Sequence, residues 1–109
     1  MDKRKTLNHI KKNVRKFTQY LLKYDSNVCK VILFGSYAKK KFEKYSDIDV
    51  CVVIKDSNKN LDKEMAQFVY LSGLVDSRIE AIPYSNKELQ NPDDPLAYEI
   101  RKYGIEIKV

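Results

Sequence analysis

The chain has 109 residues, of which 43% are hydrophobic and 33% are charged, which predicts one domain over residues 1–109 with a modest core. The longest apolar runs, such as residues 50–54, are too short to cross a bilayer, and no signal-like apolar segment follows the basic N-terminus. We therefore expect a cytoplasmic protein that does not enter a membrane.

The net charge of +6 favours a polyanionic ligand, and the positive charge is concentrated in residues 3–16 and 39–44. One histidine, His9, and two cysteines are too few for a zinc cluster or a histidine-based ribonuclease pair. Cys29 and Cys51 both fall in apolar, β-like runs, so we expect both to be small core residues rather than a disulfide.

The first predicted element is an amphipathic helix that runs through about Tyr24 and ends in the turn cluster of residues 25–27. Its apolar residues recur at spacings of three and four: Leu7, Ile10, Val14, Phe17 and Leu21. Residues 28–34 are apolar and β-branched, which predicts a buried strand that stops at Gly35. A short helical turn is expected after Ser36.

The second half of the chain predicts three strands and two helices, with a polar loop at residues 55–60. The strands are predicted at residues 47–54, 78–83 and 105–109, and the helices from Leu61 to Gly73 and from Pro95 to Gly104. Asp94 as N-cap and Pro95 at the first helical position mark the start of the last helix. The order α-β-α-β-α-β-α-β predicts an α/β (α+β) fold in which helices pack on a mixed sheet.

Two aspartates begin the second predicted strand. Alternate side chains of a strand project from one face, so Asp47 and Asp49 would point the same way, about 7 Å apart at Cα. Two carboxylates placed so closely repel each other unless a cation lies between them, and Mg²⁺ binds one or two carboxylates together with phosphate oxygens. The alternative is that both are solvated residues at the edge of the strand.

The glycine and serine after the first strand suggest an anion site. Gly35 permits close approach of the backbone to a ligand, and a helical turn beginning at Ser36 would present free N–H groups and a hydroxyl. Gly-Ser is also a frequent turn sequence. Together with Asp47 and Asp49, however, it places a phosphate cradle beside a metal-binding pair, which is what nucleotidyl transfer requires.

Glu80 interrupts the apolar run of residues 79–83. A charged residue in a buried strand needs a partner or a ligand, so Glu80 is a candidate for binding a second metal or accepting a proton from an attacking hydroxyl. It is otherwise a solvent-facing residue of an edge strand, or a partner of Arg78. Asp76 is a weaker candidate because it precedes the strand.

These residues resemble a known family. Phe34 to Ala38 and Ser46 to Val50 look like the GSx10DxD signature of the DNA polymerase beta nucleotidyltransferase superfamily, with the same spacing. The short chain is most similar to the minimal nucleotidyltransferases (MNT proteins) found paired with HEPN proteins. The resemblance implies a palm-like nucleotidyltransferase domain.

The resemblance also implies roles for these residues. Gly35 and Ser36 would hold the donor's β- and γ-phosphates, Asp47 and Asp49 would coordinate Mg²⁺, and Glu80 would be the third carboxylate of a two-metal site. Members of the family transfer a nucleoside monophosphate, commonly AMP from ATP, to a hydroxyl. MNT proteins of HEPN pairs act as antitoxins, and some adenylylate the partner toxin.

The chain departs from the family where Arg-Gly is usual and Lys39-Lys40 stands instead. Lys39 would still contact phosphate as a point charge, without the bidentate geometry of arginine. Two alternatives to an enzyme remain: a nucleotide-binding antitoxin or partner subunit with little turnover, and a nucleic-acid-binding module using residues 3–16. The latter is less favoured because aromatic residues do not alternate with that charge. The expected partner is a HEPN-type protein or a second copy of the chain.

Overall fold

The structure is a computed structural model that describes residues 2–55 and 60–109. The helices are α1 (Lys3–Tyr24), α2 (Gly35–Ala38), α3 (Leu61–Gly73), α4 (Asn86–Leu89) and α5 (Pro95–Tyr103). The strands are β1 (Val28–Phe34), β2 (Ile48–Ile54), β3 (Ile79–Ser85) and β4 (Ile105–Glu106). In these two ranges the strands form one mixed sheet in the order β3-β2-β1-β4, which confirms the predicted fold class.

The sheet carries helices on both faces. β1 is antiparallel to β2 and β4, whereas β2 and β3 are parallel. Because side chains alternate along a strand, Val50 and Val52 of β2 join the core under α1 and α3, while Cys51 and Val53 join the core under α4 and α5. Asp49 has the same parity as Cys51 and therefore belongs to the α4–α5 face.

α1 follows the predicted apolar pattern. Its buried residues are Leu7, Ile10, Val14, Phe17, Thr18 and Leu21. The side chain of Asp2 caps the first turn, accepting a hydrogen bond from the backbone N–H of Lys5 at 3.2 Å. Full burial of an aliphatic or aromatic side chain contributes about 1.5–3 kcal/mol, so this stripe fixes the helix on the sheet.

The C-terminal third differs from the prediction in detail. β3 continues past Pro83 to Ser85, which is possible because β3 lies at the edge of the sheet, where proline is tolerated. The short helix α4 was not predicted; Ser85 and Glu88 form a reciprocal capping box at its start. β4 is shorter than predicted, although the N–H of Ile107 still donates to the carbonyl of Val31 at 2.9 Å.

The prediction that both cysteines are core residues is confirmed for Cys51 and wrong for Cys29, which is exposed. Val28 lies opposite Ile54 and Lys30 opposite Val53, so β1 has one extra residue here, a bulge that turns Cys29 out of the regular alternation.

Within residues 2–55 and 60–109, no helix is long and apolar enough to span a membrane. The predicted loop at residues 55–60 lies mostly outside the described residues, at 56–59.

Candidate active site

Gly35 lies directly against the carboxylate of Asp49. The end of β1 pairs with the start of β2, where Phe34 is opposite Asp49, so the next residue reaches the aspartate side chain. Gly35 has a φ of +74°, and a Cβ at this position would overlap the Asp49 carboxylate, with Cγ only 3.1 Å away. The position therefore requires glycine both for its backbone conformation and for the space that Asp49 occupies.

The structure places Glu80 beside Asp49. The two residues are Cα partners in the parallel pairing of β2 and β3, so their side chains project from the same face of the sheet. Asp49 is half-buried, whereas Glu80 is exposed on the edge strand. Asp47 is exposed and lies one residue before β2 begins, at the mouth of the same site.

Burial and neighbouring negative charge both act on Asp49. The pKa of Asp49 is raised to about 6, first by burial and then by the negative charges of Glu80, Asp47 and Glu99. Each of these causes disfavours the ionised form of Asp49. A cation among these groups would reverse the effect, because it would stabilise the carboxylate that burial and neighbouring charge destabilise.

The acidic side chains of the site could contribute ligands to Mg²⁺. All the side chains concerned offer oxygen ligands, which Mg²⁺ prefers. In the part of the chain that the structure describes, no three histidine, cysteine or carboxylate side chains form a ready-made metal cluster. Mg²⁺ commonly takes one or two carboxylates and completes its shell with water and phosphate oxygens.

The segment between α2 and β2 positions Asp47 through its own contacts. The ring of Phe42 is fully buried and stacks on Tyr37 with centroids 4.5 Å apart. The backbone N–H of Glu43 donates to Oγ of Ser46 at 2.8 Å, which closes the turn before Asp47. An aromatic anchor and a serine-closed turn therefore bring the chain from α2 to the mouth of the site.

Ser36 and Lys39 lie on and after the single turn of α2. Ser36 is half-buried, and its carbonyl accepts a hydrogen bond from the N–H of Lys41 at 2.9 Å. Lys39 forms an ion pair with Glu99 of α5, and its Nζ lies 5.2 Å from the centre of the Tyr103 ring. The predicted phosphate contact of Lys39 would therefore compete with Glu99.

Glu99 was missed by sequence reasoning. Glu99 has two effects at the site: it forms the ion pair with Lys39, and its negative charge contributes to raising the pKa of Asp49. The available signal was helical spacing: Glu99 lies three residues after Leu96 and four before Tyr103, on one side of the predicted last helix.

Asp76, the weaker candidate, has a structural role. Its carboxylate accepts hydrogen bonds from Nη2 of Arg78 at 2.8 Å and from Nε of Arg78 at 3.1 Å. The Arg78 side chain holds the pKa of Asp76 below its usual range. Arg78 therefore pairs with Asp76 rather than with Glu80. The side chain of Asn13 in α1 also donates a hydrogen bond to Asp76 at 3.3 Å, so Asp76 links α1 to the start of β3.

Comparison with known families gives a match over most of the chain. The family model described as nucleotidyltransferase domain matches residues 12–105, which include Gly35, Asp47, Asp49 and Glu80.

Two curated relatives from Methanocaldococcus jannaschii share the name "Putative protein adenylyltransferase". One is 33% identical over 89 residues, which cover 81% of this chain and 86% of the relative. The other is 49% identical over 37 residues, which cover 34% of this chain and 30% of the relative.

Two crystal structures share the fold. A "putative nucleotidyltransferase" from Sulfolobus solfataricus has a TM-score of 0.72 at 18% identity, with 97% of this chain and 86% of that chain aligned. A toxin–antitoxin with AMP-PNP has a TM-score of 0.61 at 23% identity, with 90% of this chain and 72% of that chain aligned.

Proposed function

The chain belongs to the nucleotidyltransferase domain family, and from this premise we propose that it transfers AMP from ATP to a hydroxyl group, with Mg²⁺ as its cofactor. The observation that carries the proposal is the junction of Gly35, Asp49 and Glu80. A half-buried carboxylate with a raised pKa lies against a glycine backbone and beside a second acid, at the start of a buried strand.

In this proposal the residues in and around the junction have separate tasks. Asp47 and Asp49 would hold Mg²⁺, and the backbone of Gly35 with the hydroxyl of Ser36 would contact the β- and γ-phosphates. Bound Mg²⁺ supplies charge neutralisation at the phosphates. Lys39 leaves Glu99 to contact the phosphates as a point charge.

Glu80 completes the acid set, as a ligand of a second Mg²⁺ or as the proton acceptor. The acceptor oxygen forms a bond with the α-phosphorus, the bond from the α-phosphorus to the bridging oxygen breaks, and pyrophosphate leaves. The hydroxyl proton is released toward Glu80 or to solvent beside it. An exposed carboxylate suits this task, because the acceptor hydroxyl has to reach it from outside.

We propose that the acceptor hydroxyl belongs to a partner protein, of HEPN type. A protein acceptor is supported by the relative named "Putative protein adenylyltransferase" at 33% identity and by the fold neighbour, a toxin–antitoxin with AMP-PNP; the HEPN type is what the family resemblance implies. A nucleotide-binding partner subunit with little turnover is the second candidate. It would need only Asp47 and Asp49 to hold one Mg²⁺ with its nucleotide, without a third acid.

Glu80→Gln distinguishes the two candidates. We expect this variant to bind Mg²⁺-ATP like the wild type but to lose most AMP transfer, because the amide keeps the shape of the side chain and loses its charge. The assay incubates the protein with the product of the neighbouring gene, Mg²⁺, and ATP labelled at the α-phosphate. Asp93→Asn, an exposed acid outside the site, is the matched control.

Each outcome of the transfer and binding assays supports or contradicts one of the two candidate functions. Label from the α-phosphate but not from the γ-phosphate on the acceptor supports nucleotidyl transfer. Full transfer by Glu80→Gln removes Glu80 from the mechanism. Wild-type protein that binds Mg²⁺-ATP and transfers nothing favours the binding subunit, and absence of Mg²⁺-ATP binding contradicts both candidates.

A further inference from the structure

The outer side of α3 carries several exposed apolar residues after its charged first turn. Phe68 and Leu71 face the core, as expected of a helix packed on a sheet. However, Val69 and Tyr70 are each 69% exposed, and Leu74, which follows the helix, is 56% exposed. A surface helix normally carries polar residues on the side that faces solvent. The outer side of α3 thus has the composition of a surface that another molecule covers.

This apolar surface continues into a groove between α1 and α3. The groove has a volume of about 590 Å³ and is lined by Tyr20, Tyr24, Gln67, Tyr70, Leu71 and Leu74. Tyrosine is enriched at protein interfaces because its ring offers a large apolar surface while its hydroxyl finds a polar partner. We call this feature the α1–α3 groove.

Positive charge flanks the groove along α1. Lys16 lies one turn before Tyr20, and Lys23 lies one turn after it, with its Nζ 5.3 Å from the centre of the Tyr24 ring. Lys63 lies one turn before Gln67 on α3, in a neighbouring pocket that Asp25 and Glu64 also line, so the positive charge beside the groove comes from Lys16 and Lys23. Two copies of the chain joined through this groove would bring two such rows of like charge together. The charge therefore opposes self-association and favours an acidic partner.

We propose that the α1–α3 groove binds an amphipathic helix of a partner protein, with large apolar side chains on one side and Asp or Glu on its flanks. A groove between two helices accepts a third helix whose apolar residues recur at i, i+3, i+4 and i+7. The 13 residues of α3 span roughly 20 Å, enough for about three or four turns of such a helix. The groove lies across the sheet from Asp49, so this proposal does not depend on the chemistry of the candidate active site.

Two synthetic peptides test the proposed chemistry. Both carry Leu and Phe at the helical spacing given above; one has Glu at the remaining positions and the other has Lys. Fluorescence anisotropy with the purified chain should show that the Glu peptide binds about tenfold or more tightly than the Lys peptide, with a difference that shrinks as salt is added. Equal binding of both peptides, or binding of neither, would overturn the proposal.

Variants locate the binding surface. Tyr70→Ser should weaken binding of the Glu peptide about tenfold, whereas Tyr98→Ser, an exposed tyrosine on α5, should leave it unchanged. If Tyr70→Ser does not keep the wild-type circular dichroism spectrum, Leu74→Ser takes its place, because Leu74 also lines the groove and is exposed. Equal losses for the α3 and α5 variants would overturn the assignment of the groove.

Reversing the charge of the lysines beside the groove tests whether they select an acidic partner. Lys16→Glu combined with Lys23→Glu should reverse the preference, so that the Lys peptide binds more tightly than the Glu peptide. Lys87→Glu on α4 is the control and should preserve the original preference. Sedimentation of the chain over a range of concentrations tests whether a second copy of the chain occupies the groove. A dimer that Tyr70→Ser dissociates would assign the groove to that second copy and overturn the proposal.

Discussion

At the scale of single residues, the candidate site depends on the absence of a side chain at Gly35. Its backbone is left-handed, and the volume that a Cβ would fill is occupied by the carboxylate of Asp49. Strand pairing brings these two residues together, since Phe34 and Asp49 are partners across β1 and β2. The glycine and the aspartate, fourteen positions apart in the sequence, therefore form one structural unit.

Gly35→Ala should damage stability and nucleotide binding together. The left-handed conformation costs a non-glycine residue about 1–2 kcal/mol, and the new methyl group must also displace Asp49. Urea unfolding and calorimetry with Mg²⁺-ATP measure the two effects. The control is Gly73→Ala, where an added Cβ meets nothing within 4 Å and where alanine should stabilise the end of α3 by up to about 1 kcal/mol. Wild-type ATP affinity in Gly35→Ala would contradict the proposed phosphate contact of Gly35, and wild-type stability would contradict its tight packing against Asp49.

Asp49→Asn should stabilise the metal-free protein in a pH-dependent way. The pKa of Asp49 is raised to about 6 in the folded protein, above its ordinary value of 3.8, so the folded state retains a proton that the unfolded chain has lost. The unfolding free energy of the wild type therefore falls, relative to Asp49→Asn, as the pH rises from about 4 through about 6.

Urea unfolding of both proteins in a chelator, at several pH values from 4 to 8, measures this difference. The advantage of Asp49→Asn should be smallest near pH 4 and should level off above about pH 7. A difference that is constant with pH would show that burial and the neighbouring carboxylates do not act on Asp49 as described.

At the scale of elements, local signals predicted most of the fold. The apolar spacing in α1, the N-cap Asp94 with Pro95 after it, and the apolar runs of β1 and β2 are all properties of neighbouring residues. What could not be predicted depends on contacts between distant segments. Cys29 is exposed because of the register between two strands. The charge of Glu99 acts on Asp49 because α5 packs beside α2, where Glu99 pairs with Lys39.

Within the candidate site, the same limit applies. The GSx10DxD spacing predicted that Gly35 and Asp49 belong together, and the structure places them in contact. Spacing alone did not show that Lys39 is paired with Glu99, because that ion pair joins residues 60 positions apart. α4 escaped prediction for a different reason: at four residues it is too short for an apolar period to appear.

Asp94 tests how strongly a cap holds α5. Its Oδ1 accepts hydrogen bonds from the N–H groups of Leu96 at 2.9 Å and Ala97 at 3.2 Å, and its Oδ2 accepts one from the hydroxyl of Tyr84 at 2.7 Å. Asp94→Ala should lower the unfolding free energy, because it removes both the N-cap of α5 and the acceptor of the Tyr84 hydroxyl. Asp93→Ala, at the exposed neighbouring position, should change it by less than about 0.5 kcal/mol in the same urea titration. Equal effects of the two substitutions would show that the cap contributes little.

At the scale of the whole molecule, the sheet separates two surfaces of different character. The carboxylates and Lys39 lie with α4 and α5 on one face, and the α1–α3 groove lies on the other. A nucleotide held at the first surface and a helix held at the second would therefore not compete for space. If both proposals hold, the chain would bind a donor nucleotide and a protein partner on opposite faces of the sheet at the same time.

That separation predicts additive effects of substitutions at the two surfaces. Ser36→Ala should weaken Mg²⁺-ATP binding by about 1.5–3 kcal/mol, the usual worth of a charge-assisted hydrogen bond, and should leave binding of the Glu peptide unchanged. Tyr70→Ser should do the reverse. In the double variant each affinity should match that of the corresponding single variant to within about 0.5 kcal/mol, because the two residues share no contacts. Calorimetry with ATP and anisotropy with the peptide, performed on all four proteins, measure both affinities. A coupling larger than this would mean that the two faces of the sheet communicate, and that binding of a partner helix changes how the chain holds its nucleotide.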